Sequence, residues 1–407
     1  MAVGLPFVYS LLLAIIYLAF ISLGLPDSLA GAGWPVMHGD LGVPVSFAGI
    51  LTMIIAAGTI ASSLQSDRLT RRFGAGLITA VSVAMTAAAL FGFSLSGSFW
   101  LLCVWAVPYG LGAGAVDAAL NNYVALHYSS KHMNWLHCFW GVGASISPFI
   151  MSHAITQGQG WPAGYRTVGI IQVVLVALLF LTLPLWGKVN QAPTGHLTED
   201  DRGEPARPLG IAGTLRLPGA PMLLIAFFAY CAAEGTFMLW SATYLVEERG
   251  VAPATAAAFA SLFLLGITAG RFLGGFVADR LGDRQLIRIG IATVAVGVTL
   301  IALPLENDVP ALAGLVIAGL GSAPIYPAII HSTPANFGRE NSQAVIGIQM
   351  ASAYLGMTLM PPLFGALSGW LGLWLLPLYA ALLVTLMLVM SEWLNRIVAR
   401  RGLVAVG

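Results

Sequence analysis

The stretch SSLQSDRLTRRFG at residues 62–74 has a counterpart, GGFVADRLGDRQLI, at residues 274–287. Each stretch ends a long apolar segment with an Asp-Arg pair, which begins at Asp67 in the first and at Asp279 in the second. Further arginines follow four or five residues after each of these acids. A charged loop that recurs at matching places in a membrane chain is typical of an internal repeat. The two stretches therefore predict a protein built from two similar halves.

The composition indicates that these halves lie in a membrane. Of 407 residues, 58% are hydrophobic and 9% are charged, whereas an ordinary soluble domain carries about 25% charged residues. A helix that crosses a bilayer needs roughly 20 apolar residues. Twelve segments meet this requirement: 7–33, 45–66, 75–95, 99–126, 134–157, 164–187, 219–246, 253–278, 286–305, 310–332, 342–368 and 371–398. The sequence therefore predicts an all-α membrane protein with twelve transmembrane helices in two pseudo-symmetric bundles of six.

Polar residues gather between the sixth and the seventh predicted span. Residues 188–217 are rich in proline, glycine and charged residues, a composition that is typical of linkers. The chain is therefore expected to divide into an N-terminal bundle at residues 1–187, a cytoplasmic linker, and a C-terminal bundle at residues 218–407.

Lysine and arginine residues set the expected orientation in the membrane. Fifteen of the eighteen fall on the side of the linker, while Arg166 and Arg249 lie on the other side and Arg271 lies near a helix interior. Because basic loops stay in the cytoplasm, both termini should be cytoplasmic. We expect a multi-pass, monomeric protein of the inner membrane.

Several classes of function are excluded by what the sequence lacks. The net charge of +1 gives no basis for binding nucleic acid, which requires clustered basic residues. Cys103, Cys138 and Cys231 all fall in apolar segments, where cysteines are small core residues rather than a disulfide or metal framework. No metalloprotease, serine-hydrolase or nucleotide-binding motif occurs in the sequence. The chain is expected to be neither an enzyme nor an ATP-driven pump, and to need no cofactor or metal.

Asp117 stands in the fourth apolar span. A charged side chain at the bilayer centre costs on the order of 3 kcal/mol, so such residues usually face the protein interior or a wet cavity. A carboxyl group there favours its neutral form when sealed and its ionised form when wetted. Asp117 is therefore predicted to carry the coupling proton, and Asn121 follows it on the same helical face. The alternative is a structural acid that is hydrogen-bonded to a neighbouring helix.

A second acid, Asp27, stands late in the first span. The rise along the helices places Asp27 and Asp117 at different depths in the membrane. Asp27 is also predicted to take part in proton coupling. The alternative is that Asp27 caps irregular backbone near the outer surface.

Polar and aromatic residues on other spans are predicted to line a solute-binding cavity. Glu234 is the deep acid of the second half, and His137 could share a proton with Asp117 or could simply bridge helices. Tyr326 lies in the sequence GSAPIYP, whose prolines should interrupt the tenth helix as in other transporters. Trp240 either binds the solute or anchors its helix at the membrane surface. The predicted substrate-binding residues are Asn121, His137, Trp140, Tyr230, Glu234, Trp240, Tyr326 and Gln349.

The two Asp-Arg stretches resemble the signature loop of the major facilitator superfamily, G-x-x-x-D-R-x-G-R-R. The second copy keeps both glycines, Gly275 and Gly282, whereas the first has Ser63 and Thr70 in their places. Carboxylates and guanidinium groups at adjacent helix ends can pair with one another and with helix termini. The stretches therefore predict a conformational latch formed by Asp67, Arg68, Arg71, Asp279, Arg280 and Arg284. The alternative is that these charges only hold the loops in the cytoplasm.

Within that superfamily the chain is similar, over nearly its full length, to the fucose/proton symporter family of sugar permeases. The matching stretches are LPDSLAGAGWP, VDAALNNYV, NWLHCFWGVGA, YCAAEGTFMLWSATYLVEERG and GLGSAPIYPAIIHSTPANFGRENSQAVIGIQMASAYLG. The resemblance implies that carboxylates on the first and fourth helices, here Asp27 and Asp117, serve coupling and substrate contact. The sequence departs from the family at Asp117, which replaces a glutamate, and at Trp140, which replaces a substrate-binding asparagine.

These observations predict a secondary active transporter that takes up a sugar or a related small polar solute together with protons. The solute should bind between two bundles that rock about it. One alternative is an exporter that exchanges protons for drugs or metabolites. Another is a sodium-coupled transporter, because Asp27 and Asn121 offer hard oxygen ligands. A receptor without transport activity is also conceivable, but the chain has no distinct soluble domain through which to signal.

Overall fold

The structure is a computed structural model of the protein, and it describes residues 4–190 and 209–404. Most of the predicted linker, residues 191–208, lies outside the described residues. The helices are α1 (Gly4–Asp27), α2 (Leu29–Asp40), α3 (Ala48–Ser94), α4 (Phe99–His127), α5 (Ser130–Thr156), α6 (Gly160–Leu181), α7 (Leu183–Asn190), α8 (Gly210–Arg216), α9 (Ala220–Glu247), α10 (Pro253–Leu281), α11 (Asp283–Ala302), α12 (Val309–Ser322), α13 (Ile325–His331), α14 (Thr333–Phe337), α15 (Arg339–Leu371) and α16 (Leu376–Val404). No β-strand occurs in these two ranges.

Eleven helical segments among the described residues are long and apolar enough to cross a membrane. One of them contains α3, whose 47 residues would extend for about 70 Å at the usual helical rise. A bilayer core is only about 30 Å thick. At Gly74 the backbone leaves the helical conformation, with φ 78° and ψ 154°, which glycine adopts without strain. The segment therefore contains two spans, and the predicted all-α membrane fold with twelve spans is confirmed.

Two of the predicted spans are interrupted helices. The first span divides between α1 and α2 at Ser28, directly after Asp27. The tenth divides between α12 and α13 at Ala323 and Pro324, because proline removes a backbone donor and crowds the preceding turn. The break predicted from Pro324 is therefore confirmed. Each break lies next to a predicted site residue, Asp27 in the first span and Tyr326 in the tenth.

Contacts divide the chain into two compact units. The first unit consists of Met1–Tyr123 and Phe139–Leu209, and the second consists of Val124–Cys138 and Gly210–Gly407. The second unit thus includes the end of α4, the start of α5 and the loop between them. From the sequence, these residues were expected in the N-terminal bundle at residues 1–187.

Polar side chains tie helices together in the first unit. The Thr86 hydroxyl group of α3 donates to Gln172 Oε1 on α6 at 2.8 Å. Gln172 Nε2 in turn donates to the Ser22 carbonyl group of α1 at 2.8 Å. All three residues are buried. Hydrogen bonds of this kind are a usual way of holding helices together where water is absent.

Glycines bring α1 and α5 into close contact in the first unit. A Cβ atom added at Gly24 would clash with the Trp140 carbonyl oxygen, and one added at Gly143 would clash with the Ile21 carbonyl oxygen. Small residues permit such close approach of helix backbones in membranes. The crossing lies one turn before Asp27 and thereby brings the end of α1 next to Trp140.

In the second unit, α9 packs against α15 and α16, while α12 packs against α10 and α11. Arg288 of α11 and Glu392 of α16 form a two-pronged ion pair, with N–O distances of 2.6 and 2.8 Å. α9 and α10 also contact each other, and both carry charged residues toward the interior of this unit.

Candidate functional site

In the first unit, Asp27 accepts hydrogen bonds from two aromatic side chains. The Tyr109 hydroxyl group of α4 donates to Oδ1 at 3.0 Å, and Trp140 Nε1 of α5 donates to Oδ2 at 2.9 Å. Asp27 itself is exposed at the end of α1. Because both carboxylate oxygens receive a donor, the arrangement suits the ionised form and holds Asp27 in a fixed position. Asp27, predicted for coupling, and Trp140, predicted for substrate binding, are brought together, and Tyr109 is a further partner that was not predicted from the sequence.

Asp117 is buried deeper along α4. Its Oδ1 atom accepts a hydrogen bond of 2.8 Å from Asn121 Nδ2, as the four-residue spacing predicted. Asp117 is 8% exposed and Asn121 is fully buried. Tyr109, which holds Asp27, lies eight residues earlier on the same helix, or about 12 Å along its axis. The two acids therefore lie at different depths, as predicted.

The glycine crossing that places Asp27 beside Trp140 can be tested by stability. Gly143→Ala is expected to destabilise the protein by about 1–3 kcal/mol, because the added methyl group collides with backbone that cannot move freely. The measurement is the melting temperature of the purified protein in detergent. Gly31→Ala in α2 is the matched control, since no heavy atom lies within 4 Å of the added carbon. Equal melting temperatures for the two variants would contradict the importance of this close packing.

In the second unit, aromatic rings surround Tyr326 at the start of α13. Ring centroids of His137, Phe227 and Tyr230 lie 4.7, 4.6 and 6.0 Å from that of Tyr326. The Tyr230 hydroxyl group donates to the Ser322 carbonyl group at 3.0 Å. Three predicted residues, His137, Tyr230 and Tyr326, thus lie together. With Phe227 they form what we call the Tyr326 cluster.

A buried ion pair adjoins the Tyr326 cluster. Arg271 Nη2 of α10 lies 3.6 Å from Glu234 Oε1 of α9, and the two residues are 3% and 8% exposed. The Arg271 guanidinium carbon lies 5.8 Å from the centroid of the Tyr326 ring. Glu234 was predicted as a binding residue, whereas Arg271 was considered only in the orientation of the chain. A basic residue inside an apolar span is itself a signal of a functional site, and that signal was available.

The structure gives Trp240 and Gln349 other contacts. Trp240 Nε1 donates to the Pro361 carbonyl group at 2.9 Å, and its ring packs against Phe364 at 5.6 Å. Gln349 Oε1 accepts from the Thr333 hydroxyl group at 3.2 Å. These contacts join α9 to α15 and α14 to α15, so both residues have a packing role in the second unit.

Acids of the predicted latch pair with different partners in the two units. In the first unit, Asp67 Oδ1 pairs with Arg71 Nε of the same helix at 2.7 Å. In the second unit, Asp279 accepts from the Ser129 hydroxyl group at 2.9 Å and from the Lys131 backbone N–H at 3.0 Å. Asp279 therefore binds the first turn of α5, where helix N–H groups lack internal partners.

A second acid, Asp283, strengthens this contact. It accepts from the Ser130 hydroxyl group at 2.7 Å and lies 2.7 Å from His331 Nδ1. The other ring nitrogen of His331 lies 3.1 Å from the Tyr128 carbonyl oxygen. Both nitrogens face oxygen atoms, an arrangement that suits the doubly protonated ring. Asp283 and His331 were not predicted from the sequence, because their partners lie far away along the chain.

The arginines of the predicted latch behave differently from its acids. Arg68, Arg280 and Arg284 are exposed, and within residues 4–190 and 209–404 they form neither a hydrogen bond nor an ion pair. Arg71 is the latch arginine that pairs with an acid. In the same part of the chain, no group of three or more His, Cys, Asp or Glu side chains could hold a metal ion.

Several relatives have sequences similar to this chain. Bypass of stop codon protein 6 of Saccharomyces cerevisiae is 24% identical over 65% of this chain, which spans 56% of the yeast protein. A probable nitrate/nitrite antiporter of Thermus thermophilus is 25% identical over 85% of this chain and 84% of its own length. A probable sulfoacetate transporter of Cupriavidus necator is 21% identical over 82% of this chain and 81% of its own length.

Solved structures share the fold at low sequence identity. The E. coli fucose:proton symporter superposes with a TM-score of 0.72 at 18% identity, covering 95% of this chain and 99% of that one. The proton:xylose symporter superposes with a TM-score of 0.78 at 12% identity and covers 96% of both chains. The sequence profile of the Major Facilitator Superfamily matches residues 16–252 and 222–401. The chain therefore belongs to the major facilitator superfamily of membrane transporters.

Proposed function

We propose that the protein is a proton-coupled secondary transporter that takes up a small polar solute, such as a sugar, by alternating access. It would act as a monomer in the inner membrane with both termini in the cytoplasm. Asp117 carries the coupling proton, and Asp27 contacts the solute and assists coupling. The observation that supports this proposal best is the buried pair of Asp117 and Asn121 on α4.

The Asp117–Asn121 pair suits a group that gains and loses a proton. A neutral amide can donate to an ionised carboxylate through its nitrogen and can accept from a protonated carboxyl group through its oxygen. Either protonation state of Asp117 therefore retains Asn121 as a hydrogen-bond partner. A buried carboxylate is costly in hydrocarbon, so Asp117 would become neutral whenever water leaves its surroundings.

Asp27 suits contact with a sugar-like solute. It is exposed, and its two oxygens accept from Tyr109 and Trp140, so hydroxyl groups of a solute could replace these donors. The apolar face of a sugar ring also packs well on an aromatic ring, which Trp140 offers.

A second candidate solute is a small anion. Buried Arg271 is the observation that favours it, because a guanidinium group binds carboxylates and similar oxyanions with two parallel hydrogen bonds. The relatives from Thermus thermophilus and Cupriavidus necator are named for nitrate and nitrite and for sulfoacetate. In this alternative the second unit supplies the charge that selects the solute.

Transport into sealed vesicles of purified protein tests the proposal. Labelled sugars, polyols, organic acids and nitrate are offered with a pH gradient imposed inward and then outward, in sodium-containing and sodium-free buffer. Uptake driven by an inward proton gradient without sodium supports proton symport. Accumulation driven only by the opposite gradient would indicate an exporter. Uptake that depends on sodium would indicate that sodium, and not the proton, is the coupling ion.

We also propose that Asp279 acts as part of a conformational latch by holding the first turn of α5. Asp279→Asn is expected to speed amide hydrogen exchange at Lys131 and the next residues about five- to tenfold, since a charge-assisted hydrogen bond contributes about 1.5–3 kcal/mol and part of it remains. Turnover in vesicles should fall as well. The matched control is Asp308→Asn, which removes an acid that lies 3.5 Å from Arg249. Unchanged exchange together with unchanged turnover would contradict the latch.

A further inference from the structure

Arg271 is buried with much of its hydrogen-bonding capacity unused. A guanidinium group carries five N–H donors. The 3.6 Å contact with Glu234 is longer than a good hydrogen bond, which measures 2.7–3.2 Å. Among the described residues, Arg271 Nε has no hydrogen-bond partner. Buried polar groups are normally satisfied, so the Nε donor of Arg271 lacks an acceptor within the described part of the chain.

Among residues 4–190 and 209–404, the titratable groups named as facing the pair include no second permanent charge. Tyr230 of α9 interacts with both Glu234 and Arg271. The titratable groups that face the pair are Tyr230 and Cys231 of α9, Tyr326 of α13, and His137 and Cys138 of α5. The tyrosines and cysteines among them are neutral near neutral pH, so the charge of Glu234 is balanced by that of Arg271, and His137 is the other group nearby that can take up a proton.

We infer that the Glu234–Arg271 pair is a binding site for one small oxyanion, which enters together with one proton that is taken up by Glu234. This inference rests on the anion transport offered above as the second candidate function. An anion added to the intact pair would leave one uncompensated negative charge in the interior, which is strongly unfavourable. Protonating Glu234 removes that charge.

The exchange balances in charge and in hydrogen bonds. The Glu234 carboxylate accepts a proton and becomes a neutral carboxylic acid, and no other bond forms or breaks. The oxyanion then accepts the N–H donors of Arg271, including Nε. Aromatic rings of the Tyr326 cluster would enclose a flat or partly apolar anion. Anion and proton therefore bind cooperatively, and each raises the affinity for the other by the same factor.

Calorimetric titration of the purified full-length protein with nitrate tests the inference. The measurement covers about pH 5.5 to pH 8, a range in which histidine titrates and a carboxyl group with a perturbed pKa can also titrate. Nitrate stays ionised throughout this range. Titration in buffers of different ionisation heat gives the protons taken up. We expect about one proton per bound nitrate and tighter binding at lower pH. Acetate and benzoate are measured in parallel, and absence of binding for all three anions would overturn the inference.

Glu234→Gln is the decisive variant, because it keeps the shape of the protonated acid. It should bind nitrate without proton uptake and with the same affinity at all pH values. Near pH 8, at the upper end of the measured range, it should bind nitrate at least about tenfold more tightly than the unmodified protein. Arg271→Lys should weaken binding and keep the proton linkage, whereas Arg271→Gln should abolish binding. Arg249→Gln, which removes a different arginine of the second unit, should bind normally. Nitrate binding by Arg271→Gln equal to that of the unmodified protein would overturn the inference.

His137 is an alternative proton acceptor. If Glu234→Gln still takes up a proton with nitrate and His137→Gln does not, the proton belongs to His137 and the assignment to Glu234 is wrong. Glu234→Gln and Arg271→Lys approximately keep the side-chain volume. If Arg271→Gln does not fold, these two variants still test the binding site.

Asp117→Asn separates this inference from the proposed function. It should leave equilibrium nitrate binding and its proton uptake intact while abolishing proton-driven transport. Intact transport in Asp117→Asn with the expected binding data would overturn the role of Asp117 alone. Loss of transport in Asp117→Asn without any anion binding would overturn the Glu234–Arg271 site alone.

Discussion

Asp117→Asn is expected to abolish uptake driven by a proton gradient, while the exchange of labelled for unlabelled solute across the membrane should remain intact. Asparagine imitates the neutral acid and keeps an oxygen that can accept from Asn121, but it cannot release a proton. Accumulation of solute against its gradient should fall at least about tenfold. A tenfold change corresponds to about 1.4 kcal/mol, which lies within the usual coupling energies of about 1–3 kcal/mol between linked ligands. The measurement compares accumulation and exchange in the same vesicles.

Asp40→Asn is the matched control in the first unit. Asp40 accepts a hydrogen bond of 3.0 Å from Trp161 Nε1, and asparagine can accept it as well. Its uptake should match that of the unmodified protein. If Asp117→Asn still accumulates solute with the proton gradient, Asp117 is a structural acid and the coupling proton resides elsewhere.

Breaking the buried ion pair of the second unit is expected to cost more stability than any surface change. Glu234→Leu leaves the Arg271 charge uncompensated, and Arg271→Leu leaves that of Glu234. Each single change should destabilise the protein by about 3–5 kcal/mol, whereas replacing both residues together with apolar ones is often close to neutral. Thermal melting in detergent should therefore rank the double variant above either single variant.

The Arg288–Glu392 pair provides the contrast. Its N–O distances of 2.6 and 2.8 Å are shorter than that of the buried pair, but Arg288 is more than half exposed. An exposed pair contributes about 0.2–1 kcal/mol. Glu392→Gln should therefore lower the melting temperature far less than Glu234→Leu. Similar losses at the two sites would mean that water reaches the buried pair.

Most of the fold was predictable because it depends on local properties of the chain. Span length and hydropathy are read directly from the sequence, and the twelve predicted spans are confirmed. The prolines of GSAPIYP predicted the interrupted tenth span. The repeated Asp-Arg stretches predicted the superfamily, which the sequence profile confirms.

Site contacts were predictable within a helix and much less so between helices. The pairing of Asn121 with Asp117 follows from helical periodicity alone. Tyr109 and His331 were missed because their partners lie on other helices, and the depth and rotation of each helix decide those contacts. Arg271 could have been found, because a basic residue inside an apolar span is itself a signal of a functional site. The spacing of Trp240 and Gln349 along their helices could not reveal that Trp240 Nε1 donates to the Pro361 carbonyl group and that Gln349 Oε1 accepts from Thr333.

The membership of residues 124–138 in the second unit has a consequence for recombination between related transporters. Their serines, Ser129 and Ser130, supply hydroxyl groups to acids of α10 and α11, although they are encoded among the first six spans. A hybrid gene joined at the linker would pair these serines with foreign acids. A crossover that exchanges the segment 124–138 together with residues 210–407 would keep these hydrogen bonds intact.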